Sequence, residues 1–241
     1  MDAGIFSAVS GSLAAQTRLD ALANNLANAG TTGFKAERVL QRAARAGEPA
    51  PRPSTVSTPI TREWVETDFS QGALNRSGNP LDVALAGEGF LVVKTARGER
   101  LTRSGDFMID SAGYLATGDG SRVQGTSGDI SVPKSPIVFG EDGSVRAGGQ
   151  RVGQLRIVTV GDPAQLVRES GTRFAAGNQT LAEATPGSVR VVQGSTEGAN
   201  LSPVEGLVAL IETVRGFETY MRAAERLDQM TAKAINEVGR V

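Results

Sequence analysis

The chain has 241 residues, with 25 basic and 26 acidic side chains and neither histidine nor cysteine. These absences exclude disulfides, thiolate chemistry, Ser-His-Asp catalysis and zinc sites built from histidine and cysteine. A net charge of −1, with scattered arginines, argues against a nucleic-acid partner. No apolar run reaches about 18 residues, and the opening Met1-Asp2 lacks a basic signal-peptide region. We therefore expect no membrane insertion and no cleaved signal peptide.

The first predicted element is a helix over residues 3–29. Its apolar side chains are spaced by three and four residues, as on one face of a helix: Ile5, Val9, Leu13, Leu19, Leu22 and Leu26. Asparagine is a poor helix former, because its side chain competes for backbone hydrogen bonds. For Asn24 and Asn25 we favour hydrogen bonds to a neighbouring helix. Asn28 is equally compatible with such a contact and with a frayed helix end.

A turn follows at residues 31–35, where Gly33 is expected to have a positive φ and Phe34 follows it. The basic segment 35–45 is predicted to form a short solvated helix rather than a specific anion site. Residues 47–59 are rich in Pro, Ser and Thr and are predicted to be an extended linker at a domain boundary.

From about residue 60 to residue 193 the sequence changes to short β-type runs separated by turn residues. Asp-Gly and similar pairs between such runs are typical of hairpins. The region is therefore predicted to be an antiparallel all-β module, with a short helical segment after residue 162. The candidate strands are residues 81–86, 89–95, 100–103, 107–109, 114–116, 130–132, 137–139, 144–146, 154–160 and 188–192.

The last predicted element is a helix over residues 202–239, on the order of 55 Å long at about 1.5 Å per residue. Ser202 is a good N-cap, Pro203 suits the first helical position, and Glu205 completes a capping box. Its apolar residues, with Ala224 and Ala234 filling gaps, also form one stripe along the helix: Val204, Leu207, Val208, Ile211, Val214, Phe217, Met221, Leu227, Ile235 and Val238. Gly216 is its one weak point, costing about 1 kcal/mol relative to alanine.

The predicted fold class is α+β, with long N- and C-terminal helices forming a coiled-coil-like pair and an inserted antiparallel all-β domain. The predicted divisions are an N-terminal helix (1–30), a linker with a basic segment (31–60), a β-rich outer domain (61–195) and a C-terminal helix (196–241). Apolar residues occupy more than one face of the second helix, so we expect other subunits to cover the remainder. The alternative is a helical pair packed wholly onto its own β module.

Candidate chemical sites are few. Gly87-Glu88-Gly89 lacks the third glycine and the helix of a dinucleotide loop, so a hairpin corner is the better interpretation. Asp106, Asp110 and Asp119 lack the spacing of a calcium loop and are interpreted as turn residues. No carboxylate pair stands out as catalytic. The sequence therefore predicts no enzyme, no cofactor and no metal site.

Several segments resemble the signatures of the bacterial flagellar rod and hook proteins, in the same order and over nearly the whole chain. Within that family the length and the 80–85 run are most similar to the proximal rod members, and the distal members are the alternative. The matching segments are 23–28 (ANNLAN), 32–35 (TGFK), 68–74 (DFSQGAL), 79–90 (NPLDVALAGEGF), 101–107 (LTRSGDF), 193–201 (QGSTEGANL) and 215–218 (RGFE).

The resemblance implies a non-enzymatic subunit of the axial rod, exported unfolded through the flagellar type III apparatus and assembled in the periplasm. Its implied partners are copies of itself and other rod proteins. The surrounding periplasmic ring is a further candidate partner. The terminal helices would form the inner layers around the export channel and stay largely disordered until docking. The candidate assembly interface comprises Ile5, Val9, Leu13, Leu22, Asn24, Asn25, Leu26, Asn28, Phe34, Asn200, Val204, Leu207, Ile211, Val214, Phe217, Met221 and Leu227.

Two other classes of function stay open at this stage. One is a self-contained module whose β domain binds a ligand such as a glycan and whose helices serve only for dimerisation. The other, an enzyme using carboxylates, has the weakest support.

Overall fold

The computed structural model describes residues 2–43, 61–185 and 187–238. Contacts divide the chain into two compact units. One, here called the helical unit, comprises Met1–Ala27, Glu37–Thr67 and Ser202–Val241; the other, the β unit, comprises Asn28–Ala36 and Asp68–Leu201. The predicted combination of terminal helices with an antiparallel β region is therefore confirmed.

The helical unit contains two long helices, α1 (Asp2–Ala27) and α2 (Pro203–Val238). The predicted N-cap at Ser202 and the first helical position at Pro203 are confirmed. The Glu205 amide donates to the Ser202 hydroxyl at 3.4 Å, and the Gly206 amide donates to the Ser202 carbonyl at 2.9 Å. The end predicted at residue 239 lies outside the described residues.

The two helices approach each other closely where one of them carries a glycine. A Cβ atom added to Gly11 of α1 would lie 2.6 Å from a ring atom of Tyr220 on α2. Small side chains dominate the buried face of α1 as well: Ala8, Ala15 and Ala21. Because these residues are small, the helices can pack together while burying little apolar surface.

The helical unit also holds a two-stranded antiparallel ribbon of β1 (Glu37–Ala43) and β2 (Thr61–Thr67), which pair along seven residues each. The short helix predicted for residues 35–45 is therefore wrong. A strand pairs through backbone hydrogen bonds to a distant segment, and the local charge pattern carries no information about that partner. The linker predicted at residues 47–59 lies outside the described residues.

The β unit consists of short antiparallel strands and one 3₁₀ turn (Pro163–Gln165), which confirms the predicted all-β module and its short helical segment. The strands are β3 (Leu74–Arg76), β4 (Val83–Ala86), β5 (Phe90–Thr95), β6 (Gly98–Thr102), β7 (Phe107–Ile109), β8 (Leu115–Thr117), β9 (Arg122–Gly125), β10 (Gly128–Asp129), β11 (Ile137–Phe139), β12 (Ser144–Ala147), β13 (Gln150–Gln154), β14 (Ile157–Thr159), β15 (Val167–Ser170), β16 (Arg173–Ala175), β17 (Ala182–Glu183), β18 (Arg190–Gln193) and β19 (Ser195–Glu197).

The largest sheet has ten strands, along the path β15-β16-β6-β5-β9-β8-β7, with β10, β14 and β17 attached. Strand β5 is central and buried on both faces. Leu91 and Val93 belong to one core cluster, and Phe90 and Val92 belong to the other. This alternation follows from the two-residue period of a strand. The remaining strands pair as β11-β12-β13, β18-β4 and β19-β3.

The strand predictions succeed in part: two three-residue runs of apolar side chains are strands, whereas polar strands at the end of the sheet path were not predicted. Residues 107–109 and 137–139 coincide with β7 and β11. The strand predicted at 130–132 is wrong, because only Ser131 forms a bridge there. Strands β15 and β16 were missed, since most of their side chains are polar and they lie at the end of the sheet path.

Asp110 illustrates the role of carboxylates in these turns. Its Oδ1 atom accepts hydrogen bonds from the amides of Ala112 at 2.9 Å and Tyr114 at 2.8 Å, which confirms the interpretation as a turn residue. These two hydrogen bonds lower the pKa of Asp110 below its ordinary 3.8, and the bond from the Tyr114 amide contributes more than the bond from the Ala112 amide. The Gln124 amide similarly lowers the pKa of Asp129, and Arg100 lowers that of Glu169.

These carboxylates predict acid sensitivity of the β unit. A carboxyl group whose pKa is lower in the folded chain stabilises the fold fully above its unfolded pKa and loses that contribution as pH falls through the folded value. We therefore expect the thermal midpoint to be flat between about pH 7 and pH 5 and to fall below about pH 4. Circular dichroism melts across this range test the expectation. An Asp110→Asn variant should show a weaker pH dependence, and an acid-independent midpoint would contradict the analysis.

Candidate assembly site

The helices of the helical unit expose large apolar side chains. Leu13 is 60 % exposed, Val204 is 73 % exposed, and Met230 is 65 % exposed. Seven of the predicted interface residues are exposed in this way: Val9, Leu13, Val204, Leu207, Ile211, Val214 and Met221. The α1–α2 pair by itself therefore leaves much of the predicted apolar stripe in contact with solvent.

Other predicted interface residues of the helical unit are only partly exposed. This group comprises Leu22, Asn24, Asn25, Leu26, Phe217 and Leu227. Ile5 belongs to α1, but its side chain is outside the described part of the structure. The ribbon adds an exposed apolar pair, Leu40 opposite Trp64, that the sequence analysis did not select.

Asn25 has a different partner from the one predicted. Its Nδ2 atom donates to the Glu37 carbonyl at 2.8 Å, and its Oδ1 atom accepts from the Glu37 amide at 2.8 Å. A side-chain amide presents a donor and an acceptor as a peptide group does, so Asn25 pairs with the first residue of β1. The predicted hydrogen bonds from Asn25 to a neighbouring helix are therefore wrong.

Two predicted interface residues lie at the start of the β unit. The Asn28 carbonyl accepts from the Thr31 amide at 2.9 Å, so it takes part in the turn that follows α1. Phe34 is 1 % exposed and lies beneath the guanidinium of Arg168, 4.8 Å from its ring centroid. Its ring is therefore covered by its own chain and is not part of an exposed surface.

The predicted positive φ of Gly33 is confirmed at +68°. A Cβ atom there would lie 2.3 Å from the Ser104 amide nitrogen. The glycine therefore allows the 31–35 turn to lie directly against the backbone of the 101–107 segment. The Gly33 amide also donates to the Glu197 carbonyl at 2.7 Å.

Three ionised side chains are buried together in the β unit, in a group called here the ion cluster: Lys35, Arg103 and Glu197. The Lys35 ammonium lies 2.5 Å from Glu197 Oε1, and both side chains are 0 % exposed. The Arg103 guanidinium lies 3.3 Å from Glu197 Oε2 and is 4 % exposed. One carboxylate thus pairs with two cations that come from distant parts of the sequence.

Backbone groups complete the ion cluster. The Ser70 carbonyl accepts from Lys35 Nζ at 2.7 Å, and the Gly87 carbonyl accepts from Arg103 at 2.8 Å. The Gly72 amide donates to Glu197 Oε1 at 3.0 Å. Burial lowers the pKa of Lys35 below its ordinary 10.5, although Glu197 opposes the shift. The cluster therefore contains one cation more than its single carboxylate balances.

Asn200 connects two further backbone segments of the β unit, one at residue 36 and one at residues 68–70. Its Oδ1 atom accepts from the Ala36 amide at 2.7 Å, and its Nδ2 atom donates to the Asp68 carbonyl at 2.7 Å. The Asp68 amide donates to the Ala36 carbonyl at 2.8 Å. Nδ2 also reaches the Ser70 carbonyl at 3.2 Å, which Lys35 shares. We call Ala36, Asp68, Ser70 and Asn200 the junction.

Comparison with known proteins gives a consistent result along the chain. Three family profiles match: "Flagella basal body rod protein" over residues 5–35, "Flagellar hook protein FlgE/F/G D1 domain" over 84–147 and "Flagellar basal body rod FlgEFG protein C-terminal" over 192–237. The flagellar basal-body rod protein FlgF of Caulobacter vibrioides is 30 % identical over 247 residues, covering 100 % of both chains. The chain belongs to the flagellar basal-body rod protein family.

Further relatives agree in length as well as in sequence. FlgF of Salmonella typhimurium is 32 % identical, covering 97 % of each chain. FlgG of Bacillus subtilis, also a flagellar basal-body rod protein, is 30 % identical and covers 96 % of this chain and 97 % of its own. Among residues 2–43, 61–185 and 187–238, no helix has the length and apolar character needed to cross a bilayer.

The segments that resemble the rod family meet around the ion cluster and the junction. Residues 32–35, 68–74, 79–90, 101–107 and 193–201 each contribute a backbone or side-chain group to these contacts. The helical segment 23–28 includes Asn25, which holds the first residue of β1. These contacts are formed within one chain. The motifs therefore stabilise the fold of the subunit, in addition to any contact they make with neighbours.

Lys35, Arg103 and Glu197 lie inside segments that resemble the family, but no sequence pattern predicted them as functional residues. The available signal was a single charge among small or apolar neighbours, as in the segments 32–35 (TGFK) and 193–201 (QGSTEGANL). Such a pattern is typical of a buried ion pair. The partner, however, lies 162 residues away in the case of Lys35 and Glu197.

The ion cluster predicts that removing the charge of Glu197 lowers the free energy of unfolding more than removing the charge of Lys35. Glu197→Gln leaves two buried cations without their carboxylate and should destabilise the β unit by about 3–5 kcal/mol. Lys35→Met leaves the Glu197–Arg103 pair intact and removes the excess cation, so it should cost less than half as much. Urea denaturation measures both free energies of unfolding.

The exposed pair of Arg100 and Glu169, joined at 2.7 Å, supplies the control. Solvent screens such a pair, so Glu169→Gln should change the free energy of unfolding far less than Glu197→Gln. Equal effects of Glu197→Gln and Lys35→Met would show that Glu197 is not the centre of the cluster.

Proposed function

We propose that this chain is a structural, non-enzymatic subunit of the flagellar basal-body rod, which polymerises into the axial shaft that transmits motor torque and encloses the export channel. The observation that carries the proposal is the exposure of large apolar side chains along both terminal helices of a chain from the rod family. Burying such a stripe against neighbours is favourable by about 25 cal/mol per Å² of apolar surface. Copies of the chain and related rod proteins would supply that cover.

The arrangement that fits best places the helices in the inner layers, in coiled-coil-like contact with neighbouring helices, and the β unit outside. Closely packed helices resist deformation because a packed core does not rearrange continuously. A tube built from them would therefore transmit torque with little bending. The β unit satisfies its buried charges internally, which suits an outer part that must keep its own shape.

We assign the chain to the proximal rod. Several full-length relatives support this position, because they are named FlgF, as the chains from Caulobacter vibrioides and Salmonella typhimurium are. A distal rod position remains the alternative, supported by the full-length match to FlgG of Bacillus subtilis. The hook protein FlgE of Treponema pallidum matches over only 29 % of its own length, which disfavours a hook role.

The proposal also includes the export route of the subunit and the compartment in which it assembles. The subunit would be exported unfolded through the flagellar type III apparatus and assemble in the periplasmic part of the basal body. Its helices would become stable only on docking, because their exposed apolar side chains then find partners.

A charge placed on the apolar stripe tests the assembly role. Ile211→Asp, and independently Leu22→Asp, should abolish swimming because an aspartate cannot be buried between helices without a large desolvation cost. Gln229→Asp introduces the same side chain at an exposed polar position of α2 and should leave swimming intact. Circular dichroism of the purified variants checks that the β unit is still folded. Normal swimming of the Ile211→Asp and Leu22→Asp strains would count against an axial role.

Limited proteolysis of the purified chain tests the proposed state before assembly. We expect rapid trimming of the terminal helices and a resistant fragment that contains the β unit and the intervening residues 37–67, beginning near Asn28 and ending near Leu201. Mass spectrometry of the digest identifies the ends. A chain that resists protease throughout would instead favour the self-contained module whose β domain binds a ligand.

A further inference from the structure

The chain passes between the helical unit and the β unit at four places, after residues 27, 36, 67 and 201. Three of these places coincide with the junction. Ala36 and Asp68 are the β-unit residues at two of them, and Asn200 is one residue before the last. The crossing after residue 27 is the one that the junction does not include.

We infer that Asn200 is a positioning residue that ties three of the four covalent connections between the units into one mechanical joint. The inference rests on the proposed function, because a subunit of a rotating shaft must pass load from one part to another. A single connecting segment can rotate about its φ and ψ angles. Segments that are cross-linked by hydrogen bonds must move together.

The side-chain chemistry of Asn200 suits this role. It offers an acceptor to the Ala36 amide and donors to the Asp68 carbonyl and to Ser70, so one residue joins two segments, at residue 36 and at residues 68–70, to its own. Aspartate would keep the acceptor and lose the donors. Glutamine would place the same groups one methylene farther away, and alanine would remove all of them.

The ion cluster is linked to the joint through a shared backbone carbonyl. The Ser70 carbonyl accepts from both Asn200 Nδ2 and Lys35 Nζ, and Lys35 in turn contacts Glu197. Residues 35, 70, 197 and 200 therefore form one continuous polar network inside the β unit. A force on any one of the three connections is therefore distributed over this network and does not stretch one segment alone.

The chain offers a matched control in Gln193. Its side-chain amide also makes three hydrogen bonds to backbone groups of the β unit: to the Pro80 carbonyl at 2.7 Å, to the Ile137 carbonyl at 3.0 Å and from the Phe139 amide at 3.3 Å. None of these residues adjoins a crossing between the units. Gln193→Ala thus removes a comparable set of bonds without touching the joint.

Hydrogen–deuterium exchange of the full chain tests the joint directly. In Asn200→Ala the amides of both Ala36 and Asp68 should exchange at least tenfold faster, while the amides of β5 keep their wild-type rates. The Asp68 amide is informative, because its own acceptor, the Ala36 carbonyl, is still present in the variant. Acceleration at Ala36 alone would show that the connections are not coupled and would overturn the inference.

Two more variants complete the exchange experiment. Gln193→Ala should accelerate exchange at Phe139 and leave Ala36 and Asp68 unchanged. Asn200→Asp keeps the bond from the Ala36 amide, so it should accelerate Asp68 more than Ala36; it also provides a second reading if Asn200→Ala fails to fold. Unchanged rates at Asp68 in every foldable Asn200 variant would exclude the joint.

A load test in cells separates this inference from the proposed function. A strain lacking the gene, complemented with Asn200→Ala, should swim normally in dilute medium and at less than half the wild-type speed in viscous medium. Gln193→Ala should match wild type in both media. Equal speeds of Asn200→Ala and wild type under load would overturn the joint alone. If the deletion strain itself swims, the proposed function fails while the exchange result still stands.

Discussion

The fold of the β unit depends on one buried carboxylate. Glu197 accepts from Lys35, Arg103 and the Gly72 amide, so three segments far apart in the chain converge on two oxygen atoms. An ionised group without water is costly unless it is fully paired. The arrangement is therefore stable only when all of these segments are in place. This requirement explains why five of the seven segments that resemble the family meet around the ion cluster and the junction.

The two units differ in which side chains they bury and which they expose to solvent. The β unit buries its charges and pairs them within one chain, and its two core clusters cover both faces of β5. The helical unit leaves large apolar side chains such as Leu13 and Val204 in solvent. Apolar surface of that extent favours association with other chains, whereas an internally paired network resists change. A unit that pairs its buried charges internally is thus joined to one that leaves large apolar side chains exposed.

The most informative errors of sequence interpretation lie between residues 24 and 45. Asn25 was assigned to a neighbouring helix, but its side-chain amide pairs with Glu37 at the start of β1. The basic segment was assigned to a short helix, but it forms a strand paired with residues 61–67. Both errors have the same cause. Hydrogen-bond partners that are distant in sequence decide the conformation, and no local pattern identifies them.

Local sequence patterns were enough to place the two long helices, short apolar strands such as β7 and β11, the turn glycine at position 33 and the family. Each depends on periodicity, capping or local stereochemistry, all of which act over a few residues. The folded structure was needed to show that Phe34 is buried under Arg168, that Lys35 pairs with a residue 162 positions away, and that Asn200 joins the segments at residues 36 and 68–70 to its own. Those contacts arise when the chain closes long loops, and a linear pattern does not encode which loops close.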